Sequence, residues 1–259
     1  AAQAKEIMDN KAQAGLVLTA EYSDLWKEDK KTETNEVMFA LQHSAKHKIA
    51  SNYGKSYYPS DYSPNAGWAD YYGNEDFFKA YPNDDRKEWN YMTEWKIKSG
   101  EIIPYTESAD KLPAISKYYD YDEGAPGKSA QSNGITCIYR YAEVLLMYAE
   151  ASTRATNSVN QDALNAIQEV QKRAGYQDRQ IELTTTTEPT AFLTAVSNER
   201  GWEFFAEMKR WFELVRLEKV KEVRAEEWDA STFNTNHHYY FPVPYQQVDL
   251  AGWTNNAGY

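Results

Sequence analysis

A disulfide needs two cysteines, and this chain of 259 residues has one, Cys137, so no internal cross-link supports its fold. Cys137 sits between apolar neighbours and reads as a small buried hydrophobe, not a nucleophile. A run of about 18 apolar residues, the length a membrane-spanning helix needs, is also missing. Positive charge is scarce: 28 Lys and Arg face 39 Asp and Glu, a formal net charge of −11. That balance argues against nonspecific binding to nucleic acid or to anionic lipid. No secretory signal pattern opens the chain. Residues 1–8 read instead as the interior of a helix with no start signal, as though an upstream half preceded them. No Gly-x-Ser-x-Gly elbow, Walker loop or dinucleotide fingerprint occurs, so no cofactor is implied and Ser/His catalysis has no local signature.

Aromatic residues are what the chain has in excess: 21 Tyr and 8 Trp, with aromatics at 15%. Such rings suit a wet contact surface or an aromatic-rich core, and composition alone does not choose between them. Position helps. Tyr139 to Ala151 has Tyr141, Val144, Leu145 and Tyr148 at the spacing of one helix face, with Ala142, Leu146 and Ala149 beside it. A helix apolar around most of its circumference must be covered on several sides, so this one belongs at the centre of a helical stack. Arg140 and Glu143, three apart, are placed to pair along it.

Taken in order, Ala1–Asn10 is helix-forming and Gly15 breaks it. Val37–Gln42 alternates as a short strand. Residues 43–88 are punctuated by Ser, Asn, Gly, Pro and Asp, yet crowded with aromatics; loops this long without their own structure are often functional. Phe77, Phe78 and Tyr81 form a helix-like piece suited to the core. Trp89, Tyr91, Thr93, Trp95 and Ile97 alternate as a strand, with a turn at Ser99-Gly100 and a return at Ile102-Ile103. Leu112–Tyr121 is extended, and 122–134 is a polar loop. Gln161–Ala174 is the next helix, with Ala163, Ile167, Val170 and Ala174 on its face and Gly175 as its stop. Thr187 is placed to cap a further helix with Pro189 in its first turn. Helical spacing then continues from Leu193 to Val215, as one helix or two with a bend. Prolines hold Phe241–Pro244 extended.

Three stretches carry a family resemblance. Arg-Tyr-Ala-Glu-Val-Leu-Leu-Met-Tyr-Ala-Glu-Ala (140–151) resembles the central helix of the SusD/RagB family. Glu199, Arg200, Trp202, Glu203, Arg210, Trp211, Phe212, Leu214 and Arg216 match its signature, with Gly201 and Met208 departing from it where the family often has Arg and Gly. Tyr240-Phe241-Pro242-Val243-Pro244 and Asn256-Ala257-Gly258-Tyr259 are similar to its tail, Ala257 standing for Pro. Asn35, Glu36, Phe39 and Gln42, and Asp85-Arg86, stand at further family positions. The resemblance implies a mainly α fold, a helical TPR-type scaffold with long aromatic-rich loops and a small β-hairpin. It implies the C-terminal portion of such a domain: 1–45 the end of the helical repeats, 46–134 a loop-rich ligand face, 135–259 helical core and tail. It also implies a surface-exposed outer-membrane lipoprotein, anchored through an upstream lipid, that binds an oligosaccharide and passes it to a SusC-like TonB-dependent transporter without catalysis.

Sugar rings have an apolar C–H face and a hydroxyl rim, which Tyr and Trp cover while Asn and Asp bond the rim. Tyr57, Tyr58, Asp61, Tyr62, Asn65, Trp68, Tyr71 and Tyr72 supply both kinds and are the candidate ligand-binding residues. His43 and His47 have a zinc helix's spacing but lack the Glu and a third ligand. Asp120–Gly124 misses calcium-loop spacing. Glu199 and Glu203, one turn apart with arginines near, read as structural ion-pair partners. A helical-repeat protein adaptor, or less readily a glycosidase, remains the alternative.

Overall fold

The computed structural model describes residues 1–63, 66–118, 132–223 and 235–259. The chain divides into two compact units, Ala1–Glu207 and Met208–Tyr259. In the first, α1 (Ala2–Asp9) and α2 (Lys11–Ala14) are followed by β1 (Val37–Gln42), α3 (Tyr53–Tyr57), α4 (Glu75–Ala80) and α5 (Asp85–Asn90). Next come β2 (Tyr91–Met92), β3 (Glu94–Lys96), β4 (Ile102–Pro104), β5 (Ala114–Ile115) and β6 (Ile135–Arg140). The unit closes with α6 (Tyr141–Thr156), α7 (Gln161–Arg173) and α8 (Pro189–Glu203). The fold is mainly helical; the strands pair antiparallel in twos, β1 with β6, β2 with β5 and β3 with β4. The expected hairpin is β3–β4, and Gly100 at φ 94 makes its turn. The strand expected to begin at Trp89 starts two residues later, because Asp84 caps α5 by accepting from the amides of Arg86 and Lys87.

The central helix is α6, and α1, α7 and α8 pack around it. Tyr141, Ala142, Leu145, Leu146 and Ala149 are fully buried against Ile167 and Val170 of α7 and Phe192 and Val196 of α8. Each such leucine contributes roughly 1.5–3 kcal/mol of burial. The helix begins at Tyr141, not Tyr139. Tyr139 and Arg140 belong to β6, whose ladder pairs them with Phe39 and Val37, and the Tyr141 amide donates to the Glu36 carbonyl at 2.8 Å. Asn157 in the left-handed region (φ 48) ends α6, and the Asn160 side chain accepts from the Ala163 amide at 2.7 Å to start α7. Gly175 (φ 83) stops α7 as expected. The cap of α8 is Glu188, not Thr187: its carboxylate accepts from the amides of Thr190 and Ala191, with Pro189 in the first turn.

The helical spacing from Leu193 to Val215 resolves into two helices, because Ala206 and Met208 take left-handed backbone (φ 57 and 61) after α8. A position with φ near 60° favours glycine, which gives a physical reason for glycine at the Met208 place. The second unit holds α9 (Arg210–Arg216), α10 (Val220–Val223), α11 (Thr235–His238) and α12 (Tyr245–Ala251). Within it, Trp211 and Phe241 are in ring contact at 6.1 Å. Tyr259 anchors the end, its hydroxyl donating to the Tyr240 carbonyl at 2.9 Å and its ring meeting His237 edge-on at 4.3 Å.

A buried ion network ties the first unit together. The Arg140 guanidinium donates to Glu36, Glu203 and Glu207, and Arg173 to Glu36 and Glu203. Arg86 donates to Asp84, Glu199 and Glu203, and Lys117 to Glu207 at 2.7 Å. The local Arg140–Glu143 pair expected from spacing does not form. Arg140 lies on a strand, which turns its side chain to distant carboxylates, while Glu143 faces Arg200 at 3.5 Å.

Candidate ligand-binding face

The aromatic loop is fastened to α3 by its backbone. The amide of Trp68 donates to Lys55 O (2.7 Å), Ala69 to Tyr58 O (3.0 Å), Asp70 to Ser56 O (2.9 Å) and Gly67 to Pro59 O (2.9 Å). Glycine is required at 67, where a Cβ would stand 2.1 Å from the Tyr58 carbonyl oxygen. Ala69, within this run of amides, takes left-handed backbone (φ 54). A loop with a run of its amides bonded in this way holds its side chains in fixed directions, so little ordering remains for a ligand to impose.

This fastening sorts the candidate residues by accessibility. Trp68 is 51% and Tyr71 61% exposed. Tyr71 leans edge-on against Tyr57 at 5.9 Å, which props its ring outward. Tyr62 is half-buried and edge-on to Tyr58 at 5.2 Å. Tyr72, also half-buried, donates its hydroxyl to Asp110 at 2.6 Å; burial and that carboxylate push its pKa up, so it stays a neutral donor. Asp61 accepts from the Trp95 indole N–H at 2.8 Å, which leaves it part of the frame under the loop. Asn65 lies outside the described residues.

Two candidates need correcting. Tyr57 and Tyr58 are 9% and 3% exposed and are interior supports rather than contact surface. Tyr57 stacks on Tyr118 at 6.0 Å within a second core that includes Trp26, Ile115 and Ile135, and burial raises its pKa to about 12. The residue that sequence reasoning passed over is Lys55. Its ammonium lies 4.9 Å from the centroid of the Trp68 ring. Counting only rings and rim-bonding Asn and Asp hid it; a basic residue in the last turn of a helix between two tyrosines was the available signal.

The carboxylate pair of α8 has no open edge for chemistry. Glu199 and Glu203 are fully buried, and Arg86 donates to both. Burial alone would raise the Glu203 pKa, but Arg173, Arg140 and Arg86 outweigh it and hold the carboxyl well below its usual range. At Glu199 burial prevails over Arg86 and the pKa is raised. Burial lowers the Lys117 ammonium to about 8 and lifts the Cys137 thiol to about 12, so Cys137 is inert at neutral pH. His43 and His47 bond separately, His43 to Thr136 Oγ1 (2.8 Å) and Ile49 O (3.2 Å), His47 to Ser44 Oγ (3.0 Å). Among the described residues no cluster of three or more His, Cys, Asp or Glu is placed to hold a metal. The weak calcium candidate, 120–124, falls outside them. Elsewhere a cleft of about 300 Å³ is lined by Glu21, Tyr22, Ser23, Asp85, Glu88 and Trp89, with Asp85 and Glu88 both paired to Arg179.

Residues 94–259 match the family model described as the SusD family. Over its whole length the chain is 25% identical to SusD-like protein P2 of Formosa agariphila, of which it covers 55%. Its fold is similar to a SusD homolog from Bacteroides thetaiotaomicron VPI-5482, with a TM-score of 0.79 and 20% identity over 100% of this chain and 59% of that one. It is also similar to surface glycan-binding protein A from Bacteroides thetaiotaomicron in complex with laminarihexaose, with a TM-score of 0.70 and 23% identity over 98% of this chain and 58% of that one. The chain thus spans a little over half the length of these relatives.

Proposed function

The chain belongs to the SusD family, and from that premise we propose that it takes part in capturing an oligosaccharide at the outer face of an outer membrane, without catalysis, and hands it to a SusC-like TonB-dependent transporter. The observation that carries the reading is the pair of exposed rings, Trp68 and Tyr71, on a loop whose backbone is bonded to α3. A pyranose face lies against such a ring, and nearby polar groups bond its rim. The laminarihexaose complex of the fold neighbour supports a saccharide ligand. The full pairing of Glu199 and Glu203 speaks for binding over hydrolysis at α8, since a glycosidase needs two carboxyls free to reach the bond. Anchoring by an upstream lipid and delivery to the transporter rest on the family assignment.

The test is calorimetric titration of the protein with neutral hexasaccharides, laminarihexaose and maltohexaose among them. Trp68→Ala lowers the affinity about tenfold, equivalent to about 1.4 kcal/mol, and leaves the melting temperature nearly unchanged because the ring is half in solvent. Unaltered affinity in that variant would remove the loop from the site.

A further inference from the structure

We propose that Lys55 makes the Trp68 subsite selective for a saccharide unit carrying one anionic group, a carboxylate or a sulfate; this rests on the oligosaccharide-capture reading above. The argument begins with the backbone. The hydrogen bond from the Trp68 amide to the Lys55 carbonyl seats the two residues side by side, and the Lys55 ammonium comes to lie over the indole, 4.9 Å from its centroid. Among the described residues no carboxylate lies within ion-pair distance of it, although the molecule as a whole carries −11 and acidic partners abound. Asp70, exposed two residues beyond Trp68, forms no ion pair with it. The Lys55 ammonium therefore has the half-exposed indole, and no carboxylate, as its contact.

The contact sets up a competition. A neutral sugar that stacks on the covered face must displace the ammonium, and an exposed cation–π contact is worth a roughly two- to fivefold change in equilibrium constant. A sugar bearing a carboxylate or sulfate offers the displaced ammonium a partner at the ring's edge, so the loss is offset by an ion pair. Lys55 therefore penalises neutral sugars and spares acidic ones. The three-donor ammonium on a flexible stem suits this swing better than a planar guanidinium would.

The experiment uses three matched probes: laminarihexaose, the same hexasaccharide oxidised at C6 to the uronate, and its monosulfated form, with the corresponding maltohexaose series as a second backbone. The wild-type protein is expected to bind the charged members several-fold more tightly than the neutral one at low salt, with the gap closing as salt rises. Lys55→Met is expected to bind the neutral member two- to fivefold more tightly than wild type and to lose the preference. A uronate-only or sulfate-only preference identifies which group the ammonium accepts, and either supports the proposal. Equal wild-type affinity for neutral and charged members, with Trp68→Ala weakening both, overturns the selectivity while the capture reading stands. No binding by any member in either series overturns both.

Discussion

At the scale of single residues, exposure separates rings that composition makes look alike. Tyr57 and Tyr71 touch edge-on, yet one is buried among Tyr118 and its neighbours and the other stands in solvent. Tyr57 is covered by the second core, whereas Tyr71 lies on the loop past Gly67, where the backbone passes so close to Tyr58 that a Cβ would overlap its carbonyl. Gly67→Ala is expected to destabilise the protein by about 1–3 kcal/mol, as overpacking does, and to weaken saccharide binding by misplacing Trp68. Urea unfolding together with titration checks it; an alanine variant with native stability and affinity would show that the close approach is not needed. Lys55 is the other residue whose role comes from a neighbour, since only the folded loop puts an indole under its ammonium.

At the scale of elements, the charges matter more than the loops. Arg140 ends β6 and reaches Glu36 ahead of β1, Glu203 at the end of α8 and Glu207 beyond it, so one guanidinium joins a strand pair to a helix. Arg173 brings the end of α7 to the same two carboxylates, Glu36 and Glu203. Removing one partner of a buried pair strands the others away from water. Arg140→Met is therefore expected to cost about 3–5 kcal/mol, read as a lower urea midpoint with an unchanged slope. A loss below about 1 kcal/mol would place the network among weak, surface-like pairs. The hairpin β3–β4 and the helix pair α6–α7 were legible in sequence because turn, cap and periodicity lie within a few residues of each other. Thr187 does not cap α8 because Glu188, one residue on, reaches both free amides with its carboxylate.

At the scale of the whole molecule, the network sets how stability responds to acid. Against burial, Arg173, Arg140 and Arg86 hold Glu203, and Arg140 with Lys117 holds Glu207, below their ordinary value of 4.5 in the folded protein. Their contribution is complete above that value and is lost as pH falls through the lower folded one, because the unfolded chain binds the protons first. Asp84 and Glu199 are raised by burial and act in the opposite sense, opposing folding as pH rises through their unfolded values. Glu203→Gln removes a group of the first kind, so its stability falls less steeply between pH 5 and pH 2, on the order of the window given for paired carboxylates, from a lower neutral plateau. Thermal melts across that range measure it, and a slope equal to wild type would take Glu203 out of the acid response. The expected segments 1–45, 46–134 and 135–259 follow the resemblance, and packing groups the chain into two compact units, Ala1–Glu207 and Met208–Tyr259.

The amino-acid order by itself determined the central helix, its capped partner α7, the small hairpin and the family signature, because each depends on spacing within one or two turns or on residues adjacent in the chain. Tertiary structure decided which carboxylates Arg140 meets, 63 to 104 residues away, which tyrosines face water, and that Lys55 covers Trp68. Those outcomes depend on where the backbone crosses itself, and side-chain partners across such crossings are chosen by burial and charge acting at a distance that local periodicity does not encode.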